Sequence, residues 1–470
     1  MNAIYQQEAI CALATPSGVG AIAVIRISGE NTLSIVNQVF KGKDLTQVES
    51  HTVHFGTIRE GNGIVDEVLV SVFKSPKSFT KEDTVEISCH GSDYIIRQIL
   101  KLLIKHGARL ARPGEFTQRA FLNGQFDLVQ AEAVADLIAA DSAASHRTAL
   151  NQLRGGFSKK LASLREELIH FASMVELELD FGEEDVEFAN REDLKTLILN
   201  LQSTILPLVE SFDFGNALKE GVPVAIIGAP NVGKSTLLNA LLNEEKAIVT
   251  AIAGTTRDVI EDVLYIDGIK FRVIDTAGIR ETQDIVESIG IERSKLAMNQ
   301  ADIVLMLFDS EETLLDVENL AEGLEDKKKV LWVRNKADLT SPLAPLLVGE
   351  GDLKSSPTRR GVGDGQPRGE VTISAKTGTG IETLKKALTS SILAADSASD
   401  TVITNLRHYE HLVKTQQALT DALNGLEMGI TGDFLAQDIR LALHHLGEIT
   451  GQIVNDDLLA NIFSKFCIGK

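Results

Sequence analysis

A glycine-rich loop between a short apolar run and a helix constrains this chain more than any other feature. Residues 228–236 read Gly-Ala-Pro-Asn-Val-Gly-Lys-Ser-Thr, after the apolar run 222–227 and before a helix that begins near Ser235. Glycines let such a loop turn its backbone N–H groups toward an anion, and the helix N-terminus adds its positive end. Lys234 supplies charge for phosphates, and Ser235 offers a hydroxyl to Mg²⁺. Strand, loop and helix in this order predict a P-loop site for a nucleoside triphosphate.

A second motif predicts which base is bound. Residues 335–338 read Asn-Lys-Ala-Asp and follow the apolar run 330–333. The carboxylate of Asp338 can accept two hydrogen bonds from N1–H and the exocyclic amine of guanine, a pair of donors that adenine lacks. Residues 374–376, Ser-Ala-Lys, follow another apolar run and would support the same base through backbone N–H groups. The order and spacing are those of a Ras-like G domain, which predicts guanine.

Two further segments have the pattern of γ-phosphate sensors. Residues 275–278 read Asp-Thr-Ala-Gly, where Asp275 would hold Mg²⁺ through water and the Gly278 N–H would meet the γ-phosphate. Residues 254–258 read Gly-Thr-Thr-Arg-Asp, a candidate switch I in which the Thr256 hydroxyl completes the metal shell. Together with the P-loop, these segments predict binding of a Mg²⁺–GTP complex.

The hydrolytic step departs from the Ras pattern at Ile279. Ras carries a water-orienting Gln after the glycine, and a branched alkyl group cannot polarise water. Glu287 is the best substitute in the following segment, and the amide oxygen of Asn231 could ligate a monovalent cation that neutralises charge on the β–γ bridge. From these residues alone, Glu287 as a solvated acid and Asn231 as a turn residue remain the favoured interpretations.

Composition bounds the rest of the protein. The 470 residues predict roughly three domains, and a hydrophobic content of 44% is ample for buried cores. No apolar run approaches the ~20 residues that span a bilayer, and the N-terminus lacks the pattern of a signal peptide. Three widely spaced cysteines, Cys11, Cys89 and Cys467, suit a reducing compartment and offer no metal-binding spacing. A net charge of −20 argues against a broad nucleic-acid-binding face. We expect a cytoplasmic protein with no membrane partner.

The chain changes texture along its length. Residues 1–118 mix short β-type runs with helices and predict an α+β domain, whereas residues 119–220 have helical periodicity. The G domain occupies residues 221–392, and helical periodicity returns in residues 393–470. Since the apolar face of each helical segment must be buried against another element, we infer that the two segments form one discontinuous helical domain with the G domain inserted in it. The Gly-, Ser- and Pro-rich residues 349–368 predict a loop in the G domain. The fold class is therefore multidomain α/β plus α.

Long matches at both ends of the chain point to one family. Residues 112–124 read Arg-Pro-Gly-Glu-Phe-Thr-Gln-Arg-Ala-Phe-Leu-Asn-Gly, and residues 127–138 read Asp-Leu-Val-Gln-Ala-Glu-Ala-Val-Ala-Asp-Leu-Ile. With residues 14–29 near the start and the terminal Cys-Ile-Gly-Lys of residues 467–470, they resemble the tRNA-modification GTPase family MnmE, also called TrmE. The resemblance covers essentially the whole chain and is more specific than any single G motif.

This resemblance implies a function. In the family, the N-terminal domain binds 5-formyl-tetrahydrofolate or a related one-carbon folate and forms a homodimer. A heterotetramer with a flavin- and NADH-dependent protein adds a carboxymethylaminomethyl-type group to C5 of the wobble uridine (position 34) of certain tRNAs. GTP hydrolysis in the family is stimulated by K⁺ and driven by pairing of G domains across the dimer.

The resemblance also implies roles for single residues of the G domain. Glu287 matches the water-orienting carboxylate, which raises it above a solvated acid. The positions that bind K⁺ in the family match Asn231, Thr250, Ile252 (through its carbonyl) and Thr255. The positions that bind Mg²⁺ match Ser235 and Thr256. The predicted guanine-nucleotide site comprises Asn231, Val232, Gly233, Lys234, Ser235, Thr236, Thr250, Ala251, Ile252, Ala253, Gly254, Thr255, Thr256, Asp275, Thr276, Ala277, Gly278, Asn335, Lys336, Asp338, Ser374, Ala375 and Lys376.

For the folate, the matching positions are Arg26, Glu86 and Lys470. A carboxylate can pair with the amidine-like edge of a pterin, and cations can pair with the glutamate tail. Gln125 stands where the family usually carries a basic residue, and it can still donate a hydrogen bond. Without the resemblance, Arg26 and Glu86 would be ordinary charges of strands and Lys470 a frayed terminus.

One alternative is a nucleotide-gated ribosome-assembly GTPase whose hydrolysis acts only as a timer. Such a protein would not need the N-terminal domain or the Cys-Ile-Gly-Lys tail. Assembly GTPases usually append a basic RNA-binding domain, and the charge of −20 argues against one. The enzyme hypothesis is therefore favoured. The lone thiol of Cys467 is more often structural than catalytic.

Overall fold

The structure is a computed structural model, and it describes most of the chain. The described residues are 8–180, 191–243, 262–274, 287–321, 329–339, 370–393, 402–430, 432–454, 456–464 and 466–469. Two compact units emerge from the contacts. Unit 1 comprises Met1–Ala139, Ala149–Leu206 and Arg407–Lys470, and unit 2 comprises Ala140–Thr148 and Pro207–Leu406. The limits predicted for the individual domains stay a prediction.

A mixed sheet forms the first part of unit 1. Its strands are β1 (Ile10–Leu13), β2 (Ile22–Ser28), β3 (Phe40–Lys41), β4 (Thr52–Glu60), β5 (Gly63–Phe73), β6 (Thr84–His90) and β7 (Arg109–Leu110). They lie in the order β3-β4-β5-β6-β2-β1-β7, antiparallel throughout except for the parallel pair β1 and β7. Side chains alternate in β6, where Val85, Ile87 and Cys89 are buried and the residues between them are not fully buried. One face of the sheet therefore carries the core, and the other can carry polar groups.

Helices complete unit 1. Against the sheet lie α1 (Thr32–Val39) and α2 (Asp93–Lys105), as expected from the mixture of strands and helices predicted for residues 1–118. The next helices are α3 (Glu115–Leu122), α4 (Leu128–Ala139), α5 (Ala143–Leu153), α6 (Gly156–Asp180) and α7 (Arg191–Glu210), of which α5 up to Thr148 and α7 from Pro207 are counted in unit 2.

Later helices of the chain bury regular apolar stripes. They are α13 (Leu406–Glu427), α14 (Gly432–Thr450) and α15 (Asp456–Ser464). On α14 the buried residues include Leu435, Ile439, Ala442 and Leu446, a spacing of three and four that places them on one face. That helix packs against α6. The helical periodicity predicted for this part of the chain is thus confirmed.

Unit 2 is built on a mostly parallel sheet. Its strands are β8 (Val222–Gly228), β9 (Asp262–Ile266), β10 (Ile269–Val273), β11 (Ile303–Phe308), β12 (Lys329–Arg334) and β13 (Glu370–Thr372). The order is β13-β12-β11-β8-β10-β9, and only β9 and β10 run antiparallel. Every residue of β11 is buried, as expected for a strand covered on both faces.

Helices on unit 2 flank that sheet. They are α8 (Phe212–Glu220), α9 (Lys234–Asn243), α10 (Glu287–Gln300), α11 (Glu311–Ala321) and α12 (Ile381–Leu393). The apolar runs 222–227 and 330–333 both form strands, and each observed end differs from the run by at most one residue. The multidomain α/β plus α fold class is confirmed. Within the described ranges, none of the helices combines the length and apolar character needed to cross a membrane.

Candidate functional site

The P-loop lies at the carboxyl end of a central strand. Strand β8 ends at Gly228 and α9 begins at Lys234, so the loop connects them in the predicted way. Both loop glycines are required by close neighbours. A Cβ on Gly228 would collide with the carbonyl of Leu307, and one on Gly233 would collide with the amide of Asn335. Gly233 also has a φ of +100°, which L side chains rarely adopt. Tight packing therefore fixes the loop at both ends.

The side chain of Lys234 is held inside this loop. Its Nζ donates to the carbonyl oxygens of Gly228 and Ala229, at 2.8 and 3.0 Å. Burial lowers the pKa of Lys234. A cation held in a shielded loop next to converging N–H groups is suited to bind phosphate oxygens more strongly than a solvated cation would.

Asn335 joins the two halves of the predicted site. It is buried at the end of β12, and its Nδ2 donates to the carbonyl of Val232 in the P-loop at 2.8 Å. Its Oδ1 accepts from the backbone N–H of Ala375 at 2.9 Å. Sequence reasoning assigned Asn335 to the base and missed this structural link. The sequence carries no local signal of this link, because it depends on the order of the strands in the sheet.

The carboxylate of Asp338 is oriented by a neighbouring hydroxyl. Ser374 Oγ donates to Asp338 Oδ1 at 2.7 Å, and this bond lowers the pKa of Asp338. The backbone N–H of Ala337 donates to the carbonyl of Ile373 at 3.1 Å, which ties the Asn-Lys-Ala-Asp turn to the next loop. Asp338 is thus an oriented anionic acceptor, the form that recognition of guanine N1–H and its exocyclic amine would need.

Asp309, which is outside the predicted site, holds Lys336 in the Asn-Lys-Ala-Asp tetrad of residues 335–338. Lys336 has a φ of +62°, and its Nζ lies 2.7 Å from Asp309 Oδ2. Asp309 follows β11, and the Lys336 ammonium lowers its pKa. The available signal was an acid at the end of an apolar strand adjacent to β12. This ion pair stabilises the left-handed turn that presents Asp338.

The structure brings together one part of the predicted nucleotide site. The P-loop follows β8, the segment with Asn335, Lys336 and Asp338 follows β12, and residues 374–376 follow β13. All three segments therefore lie at the carboxyl ends of the parallel strands of unit 2. Residues 250–256 and 275–278, which include most of the predicted metal and γ-phosphate contacts, lie outside the described residues. Glu287 is the first residue of α10, and its side chain also lies outside the described part.

Two metal ligands predicted in the P-loop can be assessed from their surroundings. Ser235 lies partly buried in the first turn of α9, where its hydroxyl oxygen is a hard donor of the kind that Mg²⁺ prefers. Asn231 is exposed with a φ of +63°, a conformation that Asn tolerates and that leaves its amide at the loop surface. The donor chemistry of both residues fits the ions assigned to them.

A second candidate site lies in unit 1 on the face of the sheet opposite the core. Arg26 on β2 lies directly across from Glu86 on β6. Arg26 Nε and Nη2 both donate to Glu86 Oε1, at 2.9 and 2.7 Å. The guanidinium also lies 5.6 Å from the ring centre of Phe79 and 5.8 Å from that of Phe116. Sequence reasoning missed these aromatic residues, which restrict the positions that Arg26 can adopt.

The C-terminal segment reaches the same place. Arg26 Nη1 donates to the carbonyl of Gly469 at 3.4 Å. Gly469 has a φ of +97°, and a Cβ there would collide with the carbonyl of Leu13 at the end of β1. The carbonyl of Cys467 accepts from the backbone N–H of Gly114 at 3.3 Å. The structure therefore places Arg26, Glu86 and the end of the tail together, while Lys470 itself lies outside the described residues.

Gln125 occupies an exposed turn after α3. Its backbone N–H donates to the carbonyl of Ala120 at 2.8 Å. Next to it, Lys81 Nζ donates to the carbonyl of Gly124 at 2.7 Å. A cation from another segment thus lies beside the position where the expected basic residue is missing, a feature that sequence spacing could not reveal.

Comparisons with known proteins agree on one family. A model described as the MnmE helical domain matches residues 128–467, and one described as the GTP-binding protein TrmE N-terminus matches residues 9–125. The tRNA modification GTPase MnmE of Cytophaga hutchinsonii is 54% identical, over 98% of this chain and 98% of its own. The protein of the same name from Bacteroides thetaiotaomicron is 50% identical, over 99% of this chain and 100% of its own.

A solved structure gives a weaker match. The FeoB G-domain from Methanococcus jannaschii is 27% identical, and the match covers 36% of this chain and 97% of that one. Its TM-score of 0.23 is too low for a comparison of the folds. The family models and full-length relatives decide the assignment, since together they extend from residue 9 to the C-terminal segment. The chain belongs to the MnmE family.

Proposed function

We propose that this protein is a GTPase that drives modification of tRNA. The observation that carries the proposal is the double link made by Asn335, which joins the P-loop to the loop of Ala375 beside an oriented Asp338. Membership of a family whose relatives are named tRNA modification GTPases supplies the substrate class. The arrangement favours a purine with an N1–H and an exocyclic amine, which is guanine.

Each described residue of the site has a role in this proposal. Lys234 and the P-loop N–H groups bind the β- and γ-phosphates, and Ser235 contributes a hydroxyl to Mg²⁺. Asp338 selects the base, while Ser374 and Lys336 hold the turn that presents it. When bound, Mg²⁺ neutralises charge that develops on the phosphates during hydrolysis.

The hydrolytic residues are proposed from the family resemblance. Glu287 orients the attacking water in place of the Ras-type Gln, which Ile279 replaces here. Asn231, Thr250, Ile252 and Thr255 hold K⁺ beside the phosphates. This cation would supply the positive charge that other GTPases take from an arginine finger.

Unit 1 would supply the one-carbon chemistry. We assign Arg26, Glu86, Gln125 and Lys470 to a 5-formyl-tetrahydrofolate or related folate. The pairing of Arg26 with Glu86 and Gly469 supports a shared polar site. The proposed reaction adds a carboxymethylaminomethyl-type group to C5 of the wobble uridine, within a homodimer that joins a flavin- and NADH-dependent protein.

Mass spectrometry of wobble uridines tests this proposal. In a deletion strain, total tRNA should lack the C5-modified wobble nucleoside, and the wild-type gene should restore it. Lys234→Ala should fail to restore it because phosphate binding is lost, whereas Lys386→Ala, at an exposed position of α12, should restore it fully.

Two results would reject the proposal. The first is a deletion strain with normal wobble uridines, and the second is full restoration by Lys234→Ala. Normal wobble uridines combined with accumulation of immature ribosomal subunits would favour the ribosome-assembly alternative. Protein levels of each variant, measured by immunoblot, control for loss of folding.

A further inference from the structure

Two helices of unit 1 place three metal-ligand side chains together, and none of the three is assigned to the nucleotide or the folate. His411 lies on α13, and His445 and Glu448 lie on α14. One donor atom from each lies within 4.8 Å of the others. The sequence carries the signal His-His-Leu-Gly-Glu at residues 444–448, but the contribution from His411 is visible only in the fold.

The distances between these donors suit a small divalent ion. His411 Nδ1 lies 3.2 Å from Glu448 Oε2, and His445 Nδ1 lies 3.6 Å from the same oxygen. Zinc bonds of ~2.0–2.1 Å in a tetrahedral arrangement place two donors roughly 3.3 Å apart. His445 and Glu448 are one helical turn apart, so both project from the same face of α14. The cluster therefore needs only small side-chain shifts to surround an ion.

Both imidazoles turn a buried nitrogen toward Glu448 without forming a hydrogen bond of normal geometry. The Nδ1 atoms of His411 and His445 are buried, and neither has a hydrogen-bond partner among the described residues. Buried polar atoms are nearly always paired, so two such nitrogens facing one carboxylate point to a missing ligand. The side chains are 13–21% exposed, so an ion from solvent can reach them.

The Glu448 carboxylate supplies the negative charge of the cluster. The cations that face the cluster are Arg407 and Lys414. Arg407 is bound by the Glu132 carboxylate at 2.8 Å, which offsets its charge.

We propose that His411, His445 and Glu448 bind one zinc ion per chain and thereby clamp α13 to α14. Two imidazoles and one Glu are a ligand set that zinc uses in proteins, with a fourth position filled by water. The neighbouring His444 is 46% exposed, and its Nε2 lies 3.5 Å from Glu448 Oε2. We leave it out of the ligand set because its ring lies at the surface.

A zinc titration of the full-length protein tests this site. The protein is stripped with a chelator, and ZnCl₂ is titrated in competition with a chromophoric zinc indicator. One equivalent should bind, and His411→Gln and His445→Gln should each weaken binding by more than about 10-fold, since even outer-shell partners cost that much. His170→Gln, an exposed histidine of α6, should bind as the wild type does.

The proposal is overturned if the wild type binds no stoichiometric zinc, or if the wild type and both ligand variants bind zinc with equal affinity. Loss of zinc binding in His444→Gln, together with wild-type zinc affinity in His411→Gln, would also overturn it, because the site would then lie on the surface of α14. Circular dichroism and thermal unfolding check that each variant folds. If a histidine variant does not fold, Glu448→Gln and the visible d–d absorption of Co²⁺ bound to the wild type give the same decision.

Discussion

The two predicted sites of this protein are assembled in opposite ways. In unit 2, the nucleotide residues follow strands of one parallel sheet, and short motifs carry most of the site. In unit 1, Arg26 and Glu86 meet across antiparallel strands, and Gly469 comes from the far end of the chain. A site made of contiguous motifs is visible in a sequence, because local geometry determines it. A site made of distant single residues becomes visible only when the fold brings them together.

The largest expected effect tests the contiguous site. Lys234→Ala removes the cation that Gly228 and Ala229 hold inside the P-loop. We expect GTP affinity to fall by roughly 100-fold or more, because a partly buried cation that pairs with the phosphates is lost. Isothermal titration with a non-hydrolysable GTP analogue measures this change. Folate binding to the same variant should stay at the wild-type level, and a parallel loss there would mean that the variant has not folded.

A second substitution tests the link inside the nucleotide site. Asn335→Ala leaves the Val232 carbonyl and the Ala375 N–H without their partner. Each unpaired buried group costs about 1–3 kcal/mol, so unit 2 should lose stability and GDP affinity together. Thermal unfolding with and without GDP measures both quantities. Asn319→Ala, at an exposed position of α11 in unit 2, serves as the control substitution. An unchanged transition for Asn335→Ala would show that the link is dispensable.

The dispersed site should respond more weakly to single changes. Arg26→Met removes the hydrogen bonds to Glu86 and Gly469 but keeps an apolar stem against Phe79. We expect folate affinity to fall by about 10-fold, equivalent to one charge-assisted hydrogen bond. Fluorescence or calorimetric titration with 5-formyl-tetrahydrofolate measures it. GTP affinity should be unchanged, and unaltered folate binding would remove Arg26 from the site.

A change of pH tests Glu115, which begins the helix α3 whose Phe116 lies against Arg26. Burial acts to raise the pKa of Glu115, but Arg109 and the Arg112 N–H prevail and hold it at about 2, below its ordinary 4.5. A depressed pKa stabilises the fold above pH 4.5, and this contribution is lost as the pH falls toward 2. The difference in unfolding free energy between the wild type and Glu115→Gln should therefore shrink as the pH falls from 4.5 toward 2. Hydrogen exchange of α3 amides measures it, and a constant difference would contradict the assignment.

The fold was predictable where periodicity and motif agree. The P-loop strand, the helix after it and the helical stripes of α13 and α14 all follow from local patterns. The relation of Asn335 to Val232 was not predictable, because it depends on which strands become neighbours in the sheet. The sheet order brings residues that are distant in sequence into contact.

The same reason explains what was missed in unit 1. Nothing in the sequence around Lys81 indicates that its ammonium reaches the carbonyl of Gly124, 43 residues away. Likewise, His411 carries no local signal that it faces His445 and Glu448 on another helix. The role of a single polar residue depends on its tertiary contacts, whereas the role of a glycine-rich loop follows from its local sequence.

The claim that unit 2 recognises guanine through Asp338 has a direct test. Asp338→Asn replaces an acceptor of the guanine amine with an amide that can donate to the 2-oxo group of xanthine. Steady-state hydrolysis is measured with GTP and with XTP for the wild type and the variant. The variant should lose GTP hydrolysis by roughly 100-fold or more and gain hydrolysis of XTP. The reason is that the Asn side chain leaves a donor of guanine unpaired, whereas it can donate to the 2-oxo group of xanthine. A variant that keeps its preference for GTP would contradict it.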